Sequence, residues 1–185
     1  MNTSLAHPSL KLAFFSGGSW FLPRLPLGPE FGLFLALTGH RLVGADAVHA
    51  GVATHFIPSS GLAAVRSEVT AALAAKSHWS CGDATAAISV VLNRHAAPLP
   101  HFTITGHQLK LLKKIFARTS AAEVAAELHA AAKAASSAEA LQDAAFLGKS
   151  AKSLDQASPT SLRVTYEQLR RGAELPTLAA CLAME

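Results

Sequence analysis

Nine histidines and two cysteines are the side chains of this chain best suited to nucleophilic, general-base or metal chemistry. Their spacing closes most of those routes. No histidines follow the HExxH spacing that sets two ligands on one helix face. Cys81 and Cys181 lie outside any CxxC and 100 residues apart, which reads as two reduced thiols rather than a disulfide framework or a zinc site. The turn Ser16-Gly17-Gly18-Ser19 is neither a GxSxG nucleophile elbow nor a phosphate-binding loop, because no Lys-Ser or Lys-Thr follows where that loop needs one. Its glycines are read as allowing a close backbone approach. His40 and His55 are read as packing or surface residues.

The elements that would position these groups alternate between helix and strand signals. Residues 16–28, rich in Gly and Pro, predict a turn and an extended entry anchored by Trp20 and Phe21. Phe31 to Thr38 is almost entirely apolar and stops at Gly39, as a short buried helix with a left-handed cap would. Gly44 to Gly51, with Asp46 in its first turn, predicts another short helix. Val52 to Ile57 carries β-branched and aromatic residues up to Pro58 and predicts a strand, which makes the arrangement α/β.

Leu62, Val65, Val69 and Leu73 then follow a helical period, predicting an amphipathic helix over 62–75. The stretch from Lys76 to Pro100 is less regular and reads as a variable insertion, with a short helix over Ala84 to Leu92. Beyond it the chain is mostly helical. Gly106 to Phe116 is one helix; the pairs Ser120/Glu123 and Ser136/Glu139 open two more as capping boxes; Ser158-Pro159 starts a last one running to Arg170-Arg171-Gly172.

At 185 residues the chain is long enough for one domain with a substantial core, and half its residues are hydrophobic against 15% charged, which excludes a disordered chain. Lys and Arg number 16 against 12 Asp and Glu, giving a net charge of +4 and a pI near 9.3. That mild excess suits a phosphate-bearing ligand or nucleic acid without choosing between them. No apolar run approaches the roughly 20 residues a bilayer span needs. The first residues make a poor signal peptide.

Four blocks, in order, carry a resemblance: FLPRL at 21–25, FLALTGHRLVGADAVHAGVATHF at 34–56, IFARTSAAEVAAEL at 115–128 and SPTSLRVTYEQLRRG at 158–172. Together they resemble the 3-hydroxyisobutyryl-CoA hydrolase family of the crotonase superfamily. The resemblance implies a spiral of perpendicular ββα turns followed by a helical region, with this chain supplying the C-terminal part of that spiral and being predominantly helical. It divides the chain at residue 61, with the end of the spiral core over 1–61 and the helical region, including an insertion at about 76–105, over 62–185. The likeness stops near Ser16, which leaves residues 1–15 open as a start of separate origin. The chain would then be about half of a family member, cut at both ends.

The function so implied is hydrolysis of the thioester of 3-hydroxyisobutyryl-CoA in valine catabolism, in the mitochondrion, with CoA as part of the substrate and no separate cofactor. Such hydrolysis needs N–H donors for the oxyanion, each often worth about 3–4 kcal/mol, and a carboxylate as nucleophile or base. The family's pattern is a Glu eight residues before an Asp, itself two residues before the glycine pair matched by Gly17 and Gly18; counted without gaps, those positions are His7 and Phe15. Neither retains carboxylate chemistry, so the chain alone is expected to be inactive. Gly17 and Gly18 remain as weak substrate-binding positions. The alternative is a non-catalytic crotonase-fold subunit of the mitochondrial small ribosomal subunit, with ribosomal RNA and proteins as partners. Both readings imply self-association or a partner chain, because half a spiral would leave apolar faces such as Leu33 to Leu37 uncovered.

Overall fold

The computed structural model describes residues 17–134 and 138–185. Their secondary structure is helical, with a single bridge residue at Val43 and no strand among the described residues. The contacts form two compact units, one over 43–102 and one joining 17–42 to 103–185.

The second unit is built around α2, Pro29–Thr38. Pro29 has no N–H to lose at a first helical position, and Gly28 before it takes φ 101°. Gly39 ends the helix at φ 64° and donates its N–H to the Leu35 carbonyl. Every residue from Phe31 to Thr38 is buried, including Leu33, Leu35 and Leu37. Leu33 to Leu37 therefore have their cover within this unit, against the expectation of an open apolar face. The covering helices are α6 (Gly106–Phe116), α8 (Ala138–Asp155) and α9 (Pro159–Glu174). Phe34 is fully enclosed, with Phe116 edge-on at 5.5 Å and Phe146 at 5.9 Å. His40 lies between Phe34 and Phe146, a packing role.

The predicted caps form only in part: Ser158 precedes Pro159 at the start of α9 but makes no side-chain cap hydrogen bond. Thr105 and Gln108 form a reciprocal capping box at α6. Ser120 accepts from the Glu123 N–H at the start of α7 (Ala121–Lys133), but the Glu123 carboxylate turns to Thr119 instead, so that box is half formed. Ser136 lies outside the described residues. Residues 18–24 differ from the expected extended entry: α1 (Gly18–Phe21) runs into a 3₁₀ turn over Leu22–Arg24. The backbone there folds onto itself because Gly17 and Pro23 supply the turn geometry and Arg24 the anchor.

The other unit holds α3 (Ala45–His49), α4 (Leu62–Ala74) and α5 (Cys81–His95). The expected strand at Val52 to Ile57 does not form: Val52 and Ala53 both donate to the Ala47 carbonyl, and further on the Phe56 carbonyl accepts from Ala97. β-Propensity describes fit to a pleated neighbour, and no neighbouring strand is present among the described residues. α5 is longer than the short helix expected over Ala84 to Leu92, because Ser80 caps it by accepting from the Asp83 N–H. α4 and α5 pack together, each with one buried valine, Val65 and Val91, and meet through Glu68, which accepts from Arg94 Nη1 at 2.7 Å and meets His95 Nε2 at 2.8 Å. The His95 hydrogen bond, against the opposing effect of burial, holds the Glu68 carboxyl below its ordinary value, with Arg94 adding to it.

Candidate functional site

The glycine turn is where chemistry-bearing positions were expected, and the second unit fixes it from three sides. Gly17 takes φ 91° and ψ 0°, and its carbonyl accepts from Trp20 and Phe21 to open α1. A left-handed residue here favours glycine. The carboxylate of Glu185, after α10 (Leu178–Met184), closes the turn. It accepts from the Gly17 N–H at 2.8 Å, the Ser19 N–H at 3.1 Å and the Ser19 hydroxyl at 2.6 Å.

Burial pushes the Glu185 carboxyl up, but the Ser19 hydroxyl and the N–H groups of Gly17 and Ser19 outweigh it and hold the group below its ordinary 4.5. A depressed carboxyl contributes stability that is present in full above 4.5 and is lost as pH falls through the lowered value. Glu185→Gln is therefore expected to cost about 1 kcal/mol at neutral pH, discounted for the solvent at this surface position. It should also remove the part of the acid-limb loss that belongs to Glu185. Urea melts of both proteins from pH 7 to pH 3 check this; parallel pH profiles would count against the contact.

The second clamp is Arg24. Its Nη1 donates to the carbonyls of Trp20 at 2.9 Å and Gly172 at 3.0 Å, its Nη2 donates to that of Leu175 at 2.7 Å, and its guanidinium carbon lies 3.4 Å from the Trp20 ring centroid. A guanidinium suits this because its donors form a planar fork and its face stacks on an aromatic ring. The third is Gly172, buried in α9 against Ser19, where a Cβ would strike the Ser19 carbonyl. Gly172 thus lies inside the helix, which runs on to Glu174, rather than at its expected end. Two distant blocks, FLPRL and SPTSLRVTYEQLRRG, are one packed unit.

Of the expected site residues, His7 and Phe15 lie outside the described residues, while Gly17 and Gly18 stand at the start of α1. The Gly17 N–H is committed to Glu185. Sequence reasoning missed Glu185 and Arg24. An arginine between prolines in an apolar segment was a signal for the latter.

A groove beside the turn, bounded by Pro23, Glu30, Leu33, Phe116 and Tyr166, holds about 260 Å³. That is below the roughly 300–1,000 Å³ of typical ligand pockets. Tyr166 donates its hydroxyl to the Arg118 carbonyl at 2.6 Å, and burial raises its pKa. His107 and His129 each pair with one carboxylate, Asp143 and Asp155, while His55 meets Thr54 and Asn93. Among the described residues no three His, Cys, Asp or Glu side chains gather as a metal-binding group, and no helix is long and apolar enough to cross a membrane.

The chain belongs to the enoyl-CoA hydratase/isomerase family, whose model matches residues 1–185. In particular it is similar to the mitochondrial 3-hydroxyisobutyryl-CoA hydrolase of Dictyostelium discoideum, 34% identical over 100% of this chain and 44% of the relative. It is also similar to the small ribosomal subunit protein mS47 of Neurospora crassa, 32% identical over 92% of this chain and 33% of that one. Among solved structures it resembles a carnitinyl-CoA dehydratase from Mycobacterium thermoresistibile, with a TM-score of 0.67 and 26% identity, covering 97% of this chain and 45% of the other. The chain thus spans less than half the length of these relatives. The fold is crotonase-like, in a predominantly helical part.

Proposed function

We propose that this chain is part of a 3-hydroxyisobutyryl-CoA hydrolase acting in mitochondrial valine catabolism, and that these 185 residues alone do not turn over the thioester. The observation that carries the first half is the likeness to the Dictyostelium hydrolase along all of this chain. The second half rests on chemistry. At His7 and Phe15, where the family has Glu and Asp, a phenyl ring can neither accept a proton nor bind a substrate hydroxyl, and imidazole is no carboxylate nucleophile. In this reading Gly17 and Gly18 border the acyl end of the substrate, and the Glu185, Arg24 and Gly172 clamps set the turn that carries them. CoA enters as part of the substrate, and no separate cofactor is needed.

The test is isolation of the native protein from its source, with intact mass, peptide mapping and CoA release from 3-hydroxyisobutyryl-CoA measured on the same fraction. The expected result is hydrolysis by a species or complex that brings a Glu and an Asp from outside positions 7 and 15. A native protein or complex that contains this chain and releases no CoA would remove the hydrolase reading.

The likeness to a ribosomal protein favours a second reading, a non-catalytic subunit of the mitochondrial small ribosomal subunit. It predicts co-sedimentation with that subunit in a sucrose gradient, and confinement to soluble fractions would end it.

A further inference from the structure

We propose that the outer face of α6, carrying Lys110, Lys113 and Lys114, docks the phosphate backbone of RNA. The inference stands on the charges of this helix and does not depend on the hydrolase reading. α6 contains no acidic residue, and its three lysines fall at i, i+3 and i+4, so they share one exposed face. Their spacing, about 5–6 Å between neighbouring Cβ atoms, lets adjacent ammonium groups reach separate phosphates.

How the rest of the molecule spends its charge sets this face apart. The ion pairs are made by Arg and His: Arg94 and His95 on Glu68, Arg118 on Glu127, Arg170 on Glu167 and Glu174, His107 on Asp143. No described lysine joins one, and the α6 lysines make neither an ion pair nor a hydrogen bond. A favourable helix dipole accounts for Lys113 and Lys114 in the last turn but not for Lys110. Like charges at this spacing cost a few tenths of a kcal/mol per pair, with no ion pair or hydrogen bond to offset it.

An anionic partner fits, and the helix argues against a lipid surface. A membrane-surface helix needs an apolar face free to enter lipid. The apolar face of α6 is already spent, with Leu112 and Ile115 each 1% exposed and Phe116 2% exposed. What remains outward is ammonium groups, which act as point charges suited to phosphates along a polyanion.

The test is fluorescence anisotropy of the full chain with a labelled single-stranded RNA across a salt series. Two triple variants are compared, Lys110, Lys113 and Lys114→Gln and, as an equal-charge control, Lys133, Lys149 and Lys152→Gln. All six side chains are exposed, and circular dichroism confirms that both variants keep the helical fold. The α6 variant is expected to bind roughly 100-fold more weakly at 0.1 M salt, with the slope of log K against log salt shallower by about 2. The control should keep the wild-type slope. Equal losses in both variants would reduce the effect to net charge and overturn the proposal. Absence of RNA binding at low salt would overturn it too, as would lysine-dependent binding to phosphatidylserine vesicles in place of RNA.

Discussion

Gly172→Val is expected to cost at least about 3 kcal/mol and to lower the melting midpoint by roughly 6–12 °C. The reason is space rather than backbone freedom. Gly172 sits inside α9, and a Cβ there would collide with the Ser19 carbonyl, which is backbone and has no rotamer to escape into. Separating α1 from α9 would also pull the Gly172 carbonyl away from Arg24 Nη1, on the turn that continues α1. Gly148, in α8 with open space around it, is the matched control. Gly148→Ala should be neutral or stabilise by up to about 1 kcal/mol through helix propensity. Equal melting of Gly172→Val and the parent, followed by circular dichroism, would show that the two backbones do not meet.

Phe34→Ala carries the other large effect, a loss of about 3–5 kcal/mol. The ring is 0% exposed and touches Phe31, His40, Phe116 and Phe146, so its removal leaves a cavity walled by rings that cannot all move inward. Phe34→Leu should lose much less, because a branched side chain refills most of the volume. Urea titration separates the two, the midpoint moving while the slope holds. A change under about 1 kcal/mol for the alanine variant would mean that α2 is not the centre of its unit.

Elements set by local chemistry were legible in the sequence. α2 announced itself as an apolar run closed by Gly39, and α9 by Ser158-Pro159 at its start, whereas the Thr105 cap of α6 went unread. The Val52 to Ile57 segment was misread because propensity reports the residue, whereas a strand also needs a neighbour. α5 was read short because Gly82 in its first turn looked like a breaker, yet the Ser80 cap offsets it.

The site was less legible for a reason of distance. Glu185 meets Gly17 across 168 residues and Arg24 meets Gly172 across 148, and no helical or strand period encodes such pairs. Block resemblance found both ends of the clamp without showing that they touch. The positions His7 and Phe15 came from the family's pattern alone, since nothing in their own spacing marks them.

The most direct measurement is CoA release from 3-hydroxyisobutyryl-CoA by the purified 185-residue chain, followed with a thiol reagent against a buffer blank. The account predicts no rate above the blank from pH 6 to pH 9, because neither His7 nor Phe15 supplies the carboxylate that hydrolysis needs. Saturable release that scales with protein concentration would contradict it, and would require the carboxylate to come from elsewhere in this chain.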